Sequence, residues 1–376
     1  MAPPRDPVPA ILSLAPALFA RNPARAQEAG DAIDRILRGA PIRLIPALDR
    51  GFRDGGLHRK LGRAFLEVDA QRVAQLETLG PAASAALGVA SLLRSGYARE
   101  AATRRLRARL DPLATAFLIN RVNDYVRPIA ALAWSGLEAR LAPERARLLV
   151  PGLPLILRMR AWVRAGEGER ERLLDALRRR DLRCQAALRE GLSARDDEVV
   201  LACCQLLATH LQGTEEMRAL LLAALRARAP GPRRWAADAA LRPSLTPPPV
   251  RATLLPTLAA DRSPAIRLRA LRALADAGDL EAVAALAFDR NAEVRHQARM
   301  LLARTGDVRD YRGRALATLG REASTRDEAI AALATLSDFG RLEDRGVVAA
   351  RVDDPRASVA REAARTLAAI DRLAPP

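Results

Sequence analysis

Apolar residues recur at helical spacing along most of this chain, and the pattern is clearest in two stretches. Residues 261–279 read DRSPAIRLRALRALADAGD, and residues 289–307 read DRNAEVRHQARMLLARTGD. In the first stretch Ile266, Ala270 and Leu274 are spaced four residues apart, and the second stretch repeats that spacing. Positions i, i+4 and i+8 lie on one stripe of a helix. Each stretch therefore predicts a turn followed by an amphipathic helix.

Charged residues repeat in the same frame as the apolar ones. Asp opens each copy, Arg follows six residues later, and a Gly-Asp pair closes it, while a weaker copy begins at Asp354. We expect the Asp to cap the helix that follows it, near its positive end. The Arg can reach the Asp of its own copy or of the adjoining one. These residues form a predicted structural ladder: Asp261, Arg267, Asp289, Arg295 and Asp354.

The spacing of the copies predicts stacked pairs of helices. The aliphatic position five residues after the Asp recurs at Ile266, Val294, about residue 328 and Val359, which gives spacings of 28 to 34 residues. A second apolar helix, such as ATLLPTLAA, precedes the repeated one. Units of this length made of two helices are typical of an α-solenoid. Since aromatic residues make up only 3% of the chain and Ala, Leu and Arg dominate, we predict an all-α fold.

The repeated motif resembles a known family. Asp in the turn, Val or Ile five residues later, Arg next to it, and Ala then Leu along the second helix are similar to HEAT-type repeats, in the short bacterial form of the phycobilisome-lyase-like group. The resemblance is best over residues 261–371 and weaker from about residue 80. It implies an α-solenoid of HEAT-like helical hairpins, and it implies no particular activity.

A proline-rich stretch divides the pattern. Residues 242–249 read RPSLTPPP, and proline disrupts a helix interior but can open a helix. We read Pro247 to Pro249 as a joint, which is either a bend in one solenoid or a boundary between two. The predicted regions are a divergent helical capping region over 1–80, basic degenerate repeats over 81–246, and regular repeats with a C-terminal cap over 247–376.

The basic charge is concentrated before the regular repeats. The chain carries a net charge of +17, but residues 261–376 hold 20 Arg against 18 acidic residues, so +15 belongs to residues 1–260. Such an excess attracts acidic partners or polyanions. If the hairpins align them on one concave face, three Arg clusters would bind phosphates in a salt-dependent way, and otherwise they form a solvated face. The candidate basic surface contains Arg104, Arg105, Arg107, Arg109, Arg178, Arg179, Arg180, Arg183, Arg226, Arg228, Arg233 and Arg234.

The sequence shows no recognisable catalytic, cofactor or metal motif. It has no nucleophile elbow, HExxH, Walker-type loop or dinucleotide fingerprint, and its three Cys and three His have no zinc-ligand spacing. The N-terminal PVPAILSLAPALFA is interrupted by Pro16 and continues into an amphipathic helix, which disfavours a signal peptide. Apolar runs are too short to span a bilayer. We expect a cytoplasmic, non-enzymatic bacterial protein with no cofactor, metal site or membrane span.

Three functions fit these observations. The favoured one is a scaffold whose concave or edge surface holds another protein, with an acidic partner surface favoured by charge. The alternative is a nucleic-acid-binding solenoid that uses the Arg clusters. A third resemblance, to DNA-alkylation-repeat glycosylases, rests on Trp134, Trp162 and Trp235, with Asp238 on the same helix face as Trp235. The sequence leaves the partner and the oligomeric state open.

Overall fold

The chain is all-α in the computed structural model, which describes residues 6–53, 68–164, 167–211, 215–307, 309–321 and 323–373. No strand occurs within these ranges, so the all-α prediction is confirmed for them. Contacts divide the chain into two compact units, Met1–Gln212 and Gly213–Pro376.

The first unit is built from short helices. They are α1 (Pro7–Leu14), α2 (Pro23–Gly39), α3 (Leu44–Arg53), α4 (Ala70–Gln75), α5 (Ala83–Ala90), α6 (Gly96–Ala108), α7 (Pro112–Arg121), α8 (Arg127–Glu138), α9 (Ala146–Leu149), α10 (Leu153–Arg158), α11 (Glu167–Leu177), α12 (Leu182–Gly191) and α13 (Asp197–Ala208). Turns of 3₁₀-helix cover Ala15–Phe19, Leu76–Ala82, Pro143–Arg145, Val150–Gly152 and Met159–Ala161.

Successive helices of the first unit pair as hairpins, and N-terminal helices add a further layer. Helices α5 and α6 pair, as do α7 and α8, while α2 packs on α5 and α3 packs on α7. All residues of α5 are buried, and so is α7 from Leu113 to Arg121. Helix α5 comes close to α7 at Gly88, where an added Cβ would lie 2.1 Å from the Phe117 ring. This extra layer explains why the inner helices are buried on all sides rather than on one stripe.

The second unit consists of helical hairpins that follow one another along the chain. Its helices are α14 (Glu215–Arg226), α15 (Pro230–Ala240), α16 (Pro248–Ala259), α17 (Pro264–Asp276), α18 (Leu280–Leu286), α19 (Ala292–Arg304), α20 (Tyr311–Leu319), α21 (Arg326–Phe339), α22 (Arg345–Ala349) and α23 (Ala357–Asp371), with a 3₁₀ turn at Leu342–Asp344. Each odd-numbered helix from α15 to α23 packs against the even-numbered helix before it.

The repeated apolar positions form the seams of the second unit. Ile266, Ala270 and Leu274 are buried on α17, and Val294, Ala298 and Leu302 are fully buried at the same places on α19. The proline stretch lies inside this unit, because Pro248 begins α16 and α16 packs on both α14 and α17.

The repeated Gly-Asp pair ends a helix in both copies, and in the first copy it also begins the next one. Gly278 and Gly306 have φ angles of +74° and +76°, in the left-handed region that glycine adopts without a Cβ clash. The N–H groups of Asp279 and Asp307 then donate to the carbonyls of Leu274 and Leu302, as in a Schellman cap. The Asp279 side chain accepts from the N–H of Ala282 and so caps α18.

Candidate functional site

The repeated arginines connect neighbouring hairpins. Arg267 donates from Nε and Nη2 to the two carboxylate oxygens of Asp289, both at 2.6 Å, and from Nη1 to the carbonyl of Asp261 at 2.7 Å. The Arg267 and Asp289 side chains are only 5% and 8% exposed. One hairpin earlier, Arg233 forms an ion pair with Asp261 at 3.3 Å. Each buried guanidinium therefore binds the turn aspartate of the following hairpin.

The same arrangement occurs in the first unit. Arg99, at the start of α6, forms a buried ion pair with Asp124, in the turn before α8, at 3.1 Å. Its Nη1 also donates to the carbonyls of Leu93 and Arg94 in its own turn. A buried arginine that binds its own turn and the next one is thus common to both units.

Two expectations about the ladder were wrong in detail. The turn aspartates do not cap the second helices. Asp261, Asp289 and Asp354 each accept the N–H two residues ahead, and the N-cap position belongs to Ser263, Asn291 and Arg356. Each of these aspartates lies two residues before the N-cap, and the carboxylates of Asp261 and Asp289 instead face the arginine of the preceding hairpin.

The other difference lies at Arg295. It keeps the contact with its own turn, donating to the carbonyl of Asp289, but its Nε donates to Asp338 on α21 at 3.0 Å. Asp338 also binds Nη1 of Arg299 at 2.7 Å. The regular ladder is therefore replaced by a different connection between α19 and α21.

A second ladder runs in the opposite direction and was not predicted. Arg262 donates to the carbonyls of Ala227 and Arg228 in the preceding turn, and Arg290 donates to the carbonyl of Arg262. Arg356 repeats this contact with the carbonyl of Ser324 at 2.8 Å. The signal in the sequence was the arginine that directly follows the turn aspartate in both clear copies.

The first candidate basic cluster is largely engaged within its own unit. Arg104 binds Glu100 on the same helix, and Arg105 binds Glu77 at 3.0 Å. Arg107 donates to Ser135, and Arg109 donates to Ser84 at 2.6 Å. These side chains therefore stabilise α6 or link it to neighbouring elements.

The second cluster shows similar contacts at the end of α11. Arg178 binds Glu171 at 2.9 Å, Arg179 donates to the carbonyl of Leu141, and Arg183 binds Glu144. Arg180 is exposed. Contacts from this cluster reach the segment 141–144, so it also connects successive elements of the first unit.

The third cluster lies in the second unit. Arg226, Arg228 and Arg234 are exposed, as a binding surface requires. Arg233 is only 6% exposed and donates to the carbonyls of Ala227 and Arg228. Its assignment to a binding surface was wrong, because Arg233 is buried and donates to the carbonyl six residues before it, as Arg267 does in the next hairpin.

Two fully buried arginines in the first unit were also not predicted. Arg140 donates to the carbonyls of Leu106 and Arg109 at the end of α6, and to Thr115. Burial lowers the pKa of Arg140 to about 10. The cation satisfies orphan carbonyls at the negative end of α6. Arg121 on α7 binds Asp49 on α3 and Asp124, and burial lowers the pKa of Arg121 despite these two carboxylates.

The tryptophans occupy separate structural positions. Trp134 lies on α8 beneath the Arg172 guanidinium, at 4.9 Å, whereas Trp235 lies on α15 in the second unit. Trp162 follows a 3₁₀ turn in the first unit. Asp238 is exposed and pairs with Arg269 at 3.0 Å.

An open aromatic cavity lies where α19 meets α20 and α21 in the second unit. We call it the aromatic pocket, and it has a volume of about 880 Å³. Tyr311 stacks on Phe339 with ring centroids 5.3 Å apart, and Phe288 packs on the other side of Tyr311 at 5.6 Å. Met300 and Phe339 are 52% and 42% exposed at its surface, beside the exposed His296.

Arg299 fixes the geometry of the aromatic pocket. Its guanidinium lies over both Tyr311 and Phe339, at 5.0 and 4.7 Å from the ring centroids. It donates to Asp338, Thr335 and the carbonyl of Ala287. Burial lowers the pKa of Arg299 and raises the pKa of the Tyr311 hydroxyl. This pocket could not be predicted from the sequence, because Tyr311 and Phe339 lie on different helices.

The described part of the chain holds no cluster of His, Cys, Asp or Glu with the geometry of a metal site. Within the same ranges, every helix is too short or too polar to cross a bilayer.

Comparison with known proteins does not assign the chain to a family. No family model and no curated protein matches it. A crystal structure of an engineered protein is similar over 96% of this chain and 98% of that chain, at 15% sequence identity and a TM-score of 0.26. A TM-score this low carries no argument about fold or function.

Proposed function

We propose that the protein is a non-enzymatic scaffold of HEAT-type helical hairpins that binds another protein through the aromatic pocket. The observation that carries this proposal is the convergence of Tyr311, Phe339, Met300 and Arg299 at an open cavity. Only 3% of the residues are aromatic, so this is a marked local enrichment.

The chemistry of the pocket suits recognition of a protein side chain. Aromatic residues, Met and Arg are enriched in the buried centres of protein interfaces, where a few residues supply most of the binding energy. Arg299 is already held by Asp338 and Thr335, so the two stacked rings are positioned before a partner arrives. Preorganised side chains lose less conformational entropy on binding. Met300 is free to adapt its shape to an apolar side chain of the partner.

The contacts of the arginines favour this function over nucleic-acid binding. A cation contributes to phosphate binding when it can release counterions, and arginines bound to protein carboxylates are already neutralised. Arg105, Arg178 and Arg183 have such carboxylate partners. These three arginines are therefore less available to phosphates than arginines without a carboxylate partner.

A cytoplasmic location is part of the proposal and is supported by the cysteines. Cys184, Cys203 and Cys204 are free and buried. Burial raises the pKa of Cys203 and of Cys204 to about 12, so both stay protonated and unreactive at neutral pH.

Site-specific photo-cross-linking tests the proposal. A photoreactive residue is introduced at Met300, and a matched control carries it at Leu280, an exposed apolar position of the same unit. We expect one defined polypeptide to be captured in cells at position 300 and not at position 280. Substituting Phe339→Ala should abolish that capture without changing the thermal midpoint by more than a few degrees. Equal capture at both positions, or capture that survives Phe339→Ala, would contradict the proposal.

A further inference from the structure

The first unit contains a second cavity, of about 490 Å³, with an apolar wall. It lies where the turn between α2 and α3 meets the start of α7, the end of α12 and the start of α13. Its apolar lining includes Leu37, Pro41, Ile42, Leu113, Val150 and Val199. Cavities of roughly 300–1,000 Å³ with mostly apolar walls and a few polar groups are typical of small-molecule sites.

The charged groups of this cavity are not all compensated. Its charged lining residues are Arg38, Arg147, Glu190, Arg195 and Asp196. Arg147 pairs with Glu190 at 2.8 Å, and Arg38 pairs at 2.7 Å with an aspartate of its own helix. Arg195 is exposed. Asp196 has no ion-pair partner among the described contacts of the cavity.

Asp196 has one oxygen in use and one that is buried without a donor. Its Oδ1 accepts the N–H of Glu198 at 3.0 Å and caps α13, whereas its Oδ2 is buried without a hydrogen-bond donor. Arg43 and Arg158, on neighbouring elements, both bind Glu198 instead. A buried acceptor without a donor is unfavourable, and a charged one more so.

The surroundings of Asp196 also favour a positive ligand. Burial is the main cause that raises the pKa of Asp196, while the hydrogen bond from the Glu198 N–H and the charge of Arg43 lower it, and the carboxylates of Glu198 and Asp197 raise it slightly further. A cation placed beside Asp196 would relieve both the poor solvation and the repulsion between carboxylates.

We propose that this cavity binds a small molecule that combines an apolar body with one protonated amine. The ammonium group donates to the Asp196 carboxylate, and the apolar body packs against Leu37, Ile42 and Leu113. An anion could approach the exposed Arg195, but it would be repelled by the unpaired carboxylate of the adjacent Asp196. A neutral apolar molecule would leave that carboxylate without a donor. The site lies in the first unit, so it does not depend on the aromatic pocket or on the proposed scaffold function.

Three probes of the same length separate these possibilities. Hexylammonium, hexanol and hexanoate are titrated into the full chain labelled with ¹³C at Ile, Leu and Val methyl groups. We expect hexylammonium to shift the methyl signals of Ile42, Leu113 and Val199, and to bind at least about tenfold more tightly than hexanol. Hexanoate should produce no saturable shift.

Two matched variants assign the effect to the carboxylate. Asp196→Asn keeps the capping oxygen, since Asn is as good an N-cap as Asp, and should weaken hexylammonium binding about tenfold or more. Asp197→Asn removes a neighbouring exposed charge that does not line the cavity and should change binding less than about threefold. The thermal midpoint of each variant shows that it folds. The proposal is overturned if hexanoate or hexanol binds as well as hexylammonium, if Asp196→Asn and Asp197→Asn have equal effects, or if no probe shifts these methyl signals.

Discussion

Substituting Arg267→Met should destabilise the second unit strongly, because it leaves a buried carboxylate without its cation. The substitution removes two charge-assisted hydrogen bonds of 2.6 Å to Asp289 and one of 2.7 Å to the carbonyl of Asp261. Met retains most of the apolar packing of the arginine stem. Since both partners are almost fully buried, we expect the free energy of unfolding to fall by about 3–5 kcal/mol.

A double-mutant cycle separates the ion pair from general damage. Asp289→Asn keeps an oxygen to accept the N–H of Asn291 and loses the charge that Arg267 binds. The double variant Arg267→Met/Asp289→Asn should be more stable than the sum of the single effects predicts, by at least about 1.5 kcal/mol. Arg272→Met is the matched control on the exposed face of α17 and should change stability by less than about 0.5 kcal/mol.

Urea unfolding followed by Trp235 fluorescence measures these changes in the second unit. The measurement uses a background in which Trp134 and Trp162, both in the first unit, are replaced by phenylalanine. Unchanged m-values would show that the same surface is exposed on unfolding in each variant. If Arg267→Met were no more destabilising than Arg272→Met, or if the cycle were additive, the ladder would not hold the hairpins together.

Three further changes test other parts of the structure. Arg140→Met should lower the free energy of unfolding by about 2–4 kcal/mol in urea denaturation, because the carbonyls at the end of α6 lose their donor. Gly88→Ala should lower it by about 1–3 kcal/mol or more through contact with the Phe117 ring, whereas Gly96→Ala, with no atom within 4 Å of the added Cβ, should change it by less than about 1 kcal/mol. Since the pKa of Asp196 is raised above its ordinary 3.8 in the folded state, its contribution to stability is largest below that value and is lost as pH rises through the folded-state pKa. The stability of Asp196→Asn relative to the unsubstituted protein should therefore rise between pH 4 and pH 7 in parallel urea titrations, and a flat difference would contradict the raised pKa.

Much of the fold of the second unit could be predicted from the repeated spacing of its apolar and charged residues. Ile266, Ala270 and Leu274 are spaced so that only a helix can bury them together, and the recurring Asp and Arg predicted contacts between turns. The capping detail was wrong because a sequence does not show whether a turn aspartate faces the helix after it or the arginine of the preceding hairpin.

The layered first unit and the aromatic pocket could not be predicted in the same way. Helix α7 is buried on all sides because α3 packs on it, and that contact joins residues about seventy positions apart, as in the pair Arg121–Asp49. Tyr311 begins α20 and Phe339 ends α21, so a complete helical hairpin separates them, and only hairpin formation stacks them. Long-range packing of this kind leaves no periodic signal in the sequence.

Titration with labelled nucleic acid tests most directly whether the arginines of this protein mainly connect its hairpins rather than bind polyanions. The full chain is titrated with duplex DNA and with structured RNA at about 50 mM salt and at increasing salt. We expect weak binding with a shallow dependence on salt. Tight binding whose logarithm falls steeply with the logarithm of salt concentration would contradict this expectation, and would show that many arginines are available to phosphates.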